Sequence, residues 1–200
     1  MNWLKTIWTA FLALLGIKAR RVWTALNDVP IYYDDQGRAF FVFPTTKPGA
    51  NYLLTPAGGP IKGKSITIRY TIDVTGAPVF DYRTHDDNQV EPGFPGIARL
   101  MIQRKGDDWS AAGEMQFYRF WSVEGCKELA PGTFEITATL DPYLWTSVYG
   151  VRGSDAPAEF AAALAEAESI VLTFGGGYFY GHGVYVHDGA ARFTIESISY

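Results

Sequence analysis

The segment Ser65-Ile-Thr-Ile-Arg-Tyr-Thr-Ile-Asp73 alternates apolar and polar residues without a break. Side chains along a strand point to opposite faces with a period of two, whereas a helix needs an apolar stripe every three or four residues. The pattern therefore predicts a half-buried strand, with Ile66, Ile68, Tyr70 and Ile72 on one face and Thr67, Arg69 and Thr71 on the other. Residues 133–140 repeat it: Phe134, Ile136, Ala138 and Leu140 face inward, and Glu135, Thr137 and Thr139 face water. Further strands are predicted over 39–43, 52–55, 79–82, 97–104, 115–123, 169–174, 183–186 and 192–200. Gly and Pro at 47–49, 58–60, 75–78, 92–96 and 130–132 supply turn chemistry between them. A single internal helix is expected over 158–168, capped by Ser154 or Asp155 with Pro157 in its first turn. Many short strands between Gly/Pro turns imply an all-β fold: an antiparallel β-sandwich of jelly-roll type with one short internal helix.

The chain of 200 residues suits one domain, expected over 23–200, preceded by an appendage at 1–22. That appendage is the apolar run Thr6-Ile-Trp-Thr-Ala-Phe-Leu-Ala-Leu-Leu-Gly-Ile17, closed by Lys18, Arg20 and Arg21. It is short for a spanning helix, which takes about 20 apolar residues. A secretory signal would carry its positive charge before the run, with small residues at a cleavage site after it. On a helix, Lys5, Thr9, Gly16 and Arg20 form a narrow polar stripe opposite Trp3, Ile7, Phe11, Leu14 and Leu15. Such an N-terminal apolar helix is expected to anchor at a membrane or envelope or to dock on protein, with a cleaved signal as the remaining alternative. One cysteine, Cys126, excludes an intramolecular disulfide and any cysteine-based zinc site. A net charge of −4 argues against a nucleic-acid footprint.

Three clusters can carry chemistry. Arg104, Asp107, Asp108 and Trp109 stand at the turn after one predicted strand, and Arg119 and Trp121 share one face of the next. Arg119 can hold a carboxylate or stack on a ring, and tryptophans offer flat platforms to sugar rings. The same residues also suit a buried Arg–Asp brace, with Trp109 plugging the turn. In the second cluster, five glycines surround Tyr178, Tyr180 and His182, which lets the backbone turn sharply and approach other groups closely. These glycines do not open a helix, so a phosphate cradle is not expected. His182 with Tyr180 or Tyr185 has the chemistry for acid–base work. The third cluster is His85-Asp-Asp-Asn-Gln89, where Asp86, Asp87 and Asn88 would suit a structural calcium ion, and a solvated acidic loop is the simpler account. No other cofactor and no metal centre is expected. Without a Gly-x-Ser-x-Gly elbow, α/β-hydrolase chemistry has no support.

From Ser65 to Tyr200 the chain resembles the galactose-binding-like jelly rolls common among carbohydrate-binding modules. The likeness rests on the helix, then Ser169-Ile-Val-Leu-Thr-Phe-Gly175, a Gly-rich loop, and the closing Ala191-Arg-Phe-Thr-Ile-Glu-Ser-Ile-Ser-Tyr200. It implies a sugar- or surface-binding role. Tyr178-Phe179 followed by Gly183-Val-Tyr185 is also similar to the C-terminal tyrosine motif of jelly-roll alginate lyases, which would make Tyr185 catalytic. The spacing departs by one residue, and their Gln-x-His and Arg-rich motifs have no counterpart.

The expectation drawn from these features is a non-catalytic module that binds a carbohydrate or cell-surface polymer and is tethered by its N-terminal helix. Arg104, Asp107, Asp108, Trp109, Arg119, Tyr178, Tyr180 and His182 are the expected contacts. The alternatives are a structural protein of a virion or other assembly, and a polysaccharide lyase using Tyr185 and His182.

Overall fold

A computed structural model describes residues 21–27, 29–82, 95–177 and 180–200. The expected N-terminal helix and the His85–Gln89 cluster lie outside them. The described chain is mostly antiparallel β-structure in two sheets, with one helix. Its strands are β1 (Thr24–Ala25), β2 (Tyr32–Tyr33), β3 (Ala39–Val42), β4 (Tyr52–Pro56), β5 (Ser65–Tyr82) and β6 (Ile97–Arg104). They continue with β7 (Arg119–Ser122), β8 (Lys127–Glu128), β9 (Gly132–Thr139), β10 (Trp145–Ser147), β11 (Ala167–Gly175) and β12 (Val184–Ser199). Helix α1 (Pro157–Ala165) precedes β11.

The seven-stranded sheet runs β1-β4-β11-β6-β7-β10, with β8 pairing to β6, and the five-stranded sheet runs β2-β3-β12-β5-β9. Successive strands thus cross repeatedly from one sheet to the other. Alternation along the strands builds the shared core as the sequence implies: Ile66, Ile68, Tyr70, Ile72, Ile136 and Ala138 are all buried. Aromatic rings join the two sheets. Phe174 of β11 meets Phe41 and Phe193 edge-on, with ring centres 5.5 and 5.3 Å apart. Helix α1 seats Phe160 against Phe120 and Trp145.

Three expectations need correction. Residues 75–78 do not turn the chain back, and 183–186 and 192–200 are not separate strands. Instead β5 and β12 stay paired along nearly their whole lengths, with an irregularity between His187 and Gly189. Gly76 (φ +78°) and Asp188 (φ +59°) take left-handed conformations opposite each other. A Cβ on Gly76 would crowd the Asp188 carbonyl at 3.1 Å. The glycine and proline here mark a bulge that bends both strands rather than a hairpin. Next, 115–123 begins as a short 3-10 turn (Gly113–Phe117) and only Arg119–Ser122 is strand. Accordingly Phe117 belongs to the 3-10 turn, and its ring lies beside that of Phe120. Lastly, neither Ser154 nor Asp155 caps α1; the N-cap position is Ala156 with no side-chain cap, and Pro157 starts the helix as expected.

Candidate functional site

The outer face of the seven-stranded sheet carries an aromatic cleft. Along β6, Ala98, Leu100 and Ile102 enter the core, so Arg99, Met101 and Gln103 project from the other face. Arg119 and Trp121 of β7, Val171 and Thr173 of β11, and Tyr52 and Leu54 of β4 stand on that same side. Outward faces of antiparallel sheets are commonly solvated. Here Met101, Trp121 and Val171 are buried beneath a second apolar cluster that includes Tyr52, Leu54, Trp109, Val148 and Tyr180. Trp109 comes from the loop after β6 and Tyr180 from the loop after β11.

The loop after β6 is held by its own side chains. Asp107 Oδ1 accepts the Trp109 N–H at 3.1 Å, Asp108 Oδ1 accepts the Ser110 N–H at 2.9 Å, and Ser110 Oγ accepts the Ala112 N–H at 3.2 Å. These are Asx- and ST-type turns, and they hold Trp109 at φ +65°. Backbone of that kind costs on the order of 1–3 kcal/mol outside glycine and persists only where the surroundings impose it. The result places the Trp109 ring 5.0 Å from Tyr52 and 5.0 Å from the Arg119 guanidinium carbon.

An open cleft of about 360 Å³ results, lined by Tyr52, Trp109, Arg119, Trp121, Tyr180 and His182, with Tyr149 at its rim. This is at the small end of the range, about 300–1,000 Å³, usual for small-molecule sites. Arg119 is almost wholly buried, and its Nε lies 3.2 Å from the fully buried Asp107 carboxylate. The approach is off the N–H axis, so the contact is an ion pair without an aligned hydrogen bond. Asp107 Oδ2 accepts instead from Gln103 Nε2 at 3.0 Å. Among the described residues, Arg119 Nη2 and Trp121 Nε1 have no hydrogen-bond partner. Burial pushes the Tyr52 phenol up, partly offset by the Arg119 charge. Arg99 lies under Tyr180, its guanidinium carbon 4.0 Å from the ring centre, and donates through Nη1 to the Ser122 carbonyl at 2.8 Å.

The geometry unites Trp109, Arg119, Tyr180 and His182 in the cleft lining and keeps Asp107 against Arg119 behind them, whereas Asp108, Arg104 and Tyr185 are not among the lining residues. Asp107 serves as the internal brace of Arg119. Asp108 is exposed at the loop tip, where Ser110 lowers its pKa by hydrogen bonding. Arg104 turns toward α1, pairing with Glu166 at 2.8 Å and covering the Tyr118 ring, in a groove with Glu114 and Glu159. Tyr185 lies between Val184 and Val186, both of which enter the core. It therefore projects from the outer side of the five-stranded sheet, whereas His182 lines the cleft. Tyr178 lies outside the described residues. Sequence reasoning missed Tyr52, Tyr149 and Arg99. For Tyr52 the signal was available: its place beside the inward Leu53 assigns it to the outer face.

Among the described residues, no group of three His, Cys, Asp or Glu side chains is placed to hold a metal ion. Nor is any helix there long and apolar enough to cross a membrane. No protein-family model matches the chain, and no curated protein is significantly similar to it.

Proposed function

We propose that this chain is a non-catalytic jelly-roll module that binds a glycan or cell-surface polymer in the cleft between Trp109 and Tyr180. The observation that carries the reading is the convergence of Tyr52, Trp109, Trp121, Tyr149 and Tyr180 with Arg119 and His182 in one open cleft. Ring faces give apolar area for the C–H face of a sugar, while guanidinium, imidazole and phenol groups orient its hydroxyls. The jelly-roll assignment is supported by the strand order, β3-β12-β5-β9 within the five-stranded sheet and β4-β11-β6-β7 within the seven-stranded one, two interleaved runs of four strands. Tethering through residues 1–21 belongs to the same proposal and rests on the apolar run in the sequence. The lyase alternative needs Tyr185 and His182 in one site, and the cleft lining includes His182 but not Tyr185.

The test is migration of the full chain in native gels cast with neutral and acidic polysaccharides, beside Trp109→Ala. Retardation by at least one polymer is expected, weakened about tenfold or more in the variant, since an aromatic platform contributes roughly 1.5 kcal/mol with its burial. Retardation that survives in Trp109→Ala would move the site elsewhere. Absence of retardation with every polymer would reject the binding reading.

A further inference from the structure

We infer that this cleft takes an uncharged saccharide, and that Asp107 is the positioning residue that sets this preference by balancing the Arg119 charge behind the aromatic lining. The inference rests on the glycan-binding reading and narrows it to one ligand class. Among the described residues that line the cleft there is no Asp, Glu or Lys, and Arg119 is the one permanently charged member. Arg119 arrives already paired, its Nε 3.2 Å from the wholly buried Asp107 carboxylate. Gln103 Nε2 at 3.0 Å and the Trp109 N–H at 3.1 Å donate to the same carboxylate. One buried group thus fixes the cation, strand β6 and the loop that carries Trp109. A buried pair of this kind presents no net charge to a ligand, and removing one partner leaves the other uncompensated. Arg99, the other buried cation on this face, is not among the lining residues; it lies under the Tyr180 ring and donates to the Ser122 carbonyl.

This balance disfavours ligands of either sign. An anionic group would give up its hydration with no unpaired cation on the lining to receive it. A charge buried that way costs far more than a hydroxyl that finds a hydrogen bond. A cationic group could turn to ring faces, as quaternary ammonium ligands do in aromatic cages. Here guanidinium groups already occupy those rings: the Arg119 carbon stands 5.0 Å from Trp109 and 6.0 Å from Trp121, and the Arg99 carbon 4.0 Å from Tyr180. Like charge opposes a further cation there. Burial pushes the Tyr52 phenol up, which keeps it a neutral donor and acceptor. Ring faces and a neutral phenol suit the C–H faces and hydroxyls of an uncharged sugar.

The deciding experiment is calorimetric titration of the full chain with uronic-acid oligosaccharides, each paired with its carboxyl-reduced neutral counterpart. The titrations are run at pH 8, where an imidazole of ordinary pKa is uncharged. At least one neutral form is expected to bind about tenfold or more tightly than its uronate partner, the scale of leaving a charged group unsatisfied. Its affinity should change by less than about twofold from low to high salt, because no ion pair with the ligand is there to be screened. Asp107→Asn keeps the shape of the side chain and frees the Arg119 charge, so the uronate should then bind at least as tightly as its neutral partner. Loss of affinity for both partners in Asp107→Asn, with the neutral preference kept, would make Asp107 a brace without a part in selectivity. If that variant fails to fold, the preference and salt series of the unmodified chain still decide the ligand class. A uronate preference that fades in salt, or equal binding of both partners, would overturn the inference and leave the glycan reading standing. Binding by none of the saccharides would overturn both.

Discussion

Tyr70 carries a hydroxyl into the middle of the sandwich, where its ring stacks on Phe193 at 4.5 Å between centres. The residue is fully buried, its oxygen has no hydrogen-bond partner among the described residues, and burial drives its pKa strongly upward. Removing an unsatisfied buried hydroxyl while keeping the ring restores about 1 kcal/mol or more. Tyr70→Phe should therefore raise the denaturant midpoint with unchanged slope, and a drop would reveal a partner for the oxygen. His187 illustrates the opposite case of an oversupplied group. On the outer side of the five-stranded sheet it stands 2.7 Å from Asp188 and 2.8 Å from Asp81, and those two carboxylates, Asp188 first, raise its pKa above 6.5. A raised histidine pKa stabilises the fold below the unfolded value and loses that contribution as pH rises through the folded value. The stability difference between the chain and His187→Ala should be largest between about pH 4 and 6.5 and should shrink at higher pH. The site is half exposed, so the effect is modest and should fade in high salt. A difference that grew with pH would contradict the pairing.

Strands were legible in the sequence where their alternation was strict, as in Ser65–Tyr82 up to Asp73 and in Gly132–Thr139. They were misread where glycine and proline serve two purposes. Thr75-Gly-Ala-Pro78 has the composition of a turn, yet β12 runs opposite it without a break in pairing beyond one bulge. Nothing local separates these cases, because the deciding neighbours Asp188 and Gly189 lie more than 100 residues away in the chain. The Gly-rich loop after β11 was read more successfully, as a site of close approach. Gly181 sits at φ +75°, and a Cβ there would overlap the Tyr52 ring. This contact lets Tyr180 and His182 reach the cleft. Gly181→Ala would meet both the left-handed backbone and the tyrosine, so it should lower stability by about 1–3 kcal/mol and weaken ligand binding together. The measurement is a thermal melt with a parallel titration. Gly58→Ala is an internal control, because its φ is equally positive at +75° but nothing lies within 4 Å of the added methyl. Equal losses in both variants would mean that backbone strain alone, and not the Tyr52 contact, sets the cost.

At the scale of the whole molecule, alternation tells which face of a strand is apolar but not which strands become neighbours. The cleft shows the consequence: Arg119 and Trp121 were assigned to one face from the sequence, yet Tyr52 and Tyr180 join them only through the order β4-β11-β6-β7. That order makes the end of the chain indispensable. In the seven-stranded sheet β11 separates β4 from β6, and in the five-stranded sheet β12 separates β3 from β5. Val184, Val186, Ala191, Phe193 and Ile195 of β12 are all core residues. Without β12, β3 and β5 would each expose an unpaired edge, and Phe41 would lose the Phe193 ring stacked 5.4 Å away. Among the described residues, β2 and β3 would have no other strand joining them to the rest of their sheet. Loss of one central strand should thus remove the fold as a unit rather than shorten it, since burial and pairing are lost together across both sheets. A chain ending at Gly183 is expected to show no cooperative melt and weak amide protection throughout. A sharp transition in that truncated chain, with native-like protection in β6 and β7, would mean instead that the seven-stranded sheet and its cleft form a unit able to stand without the five-stranded one.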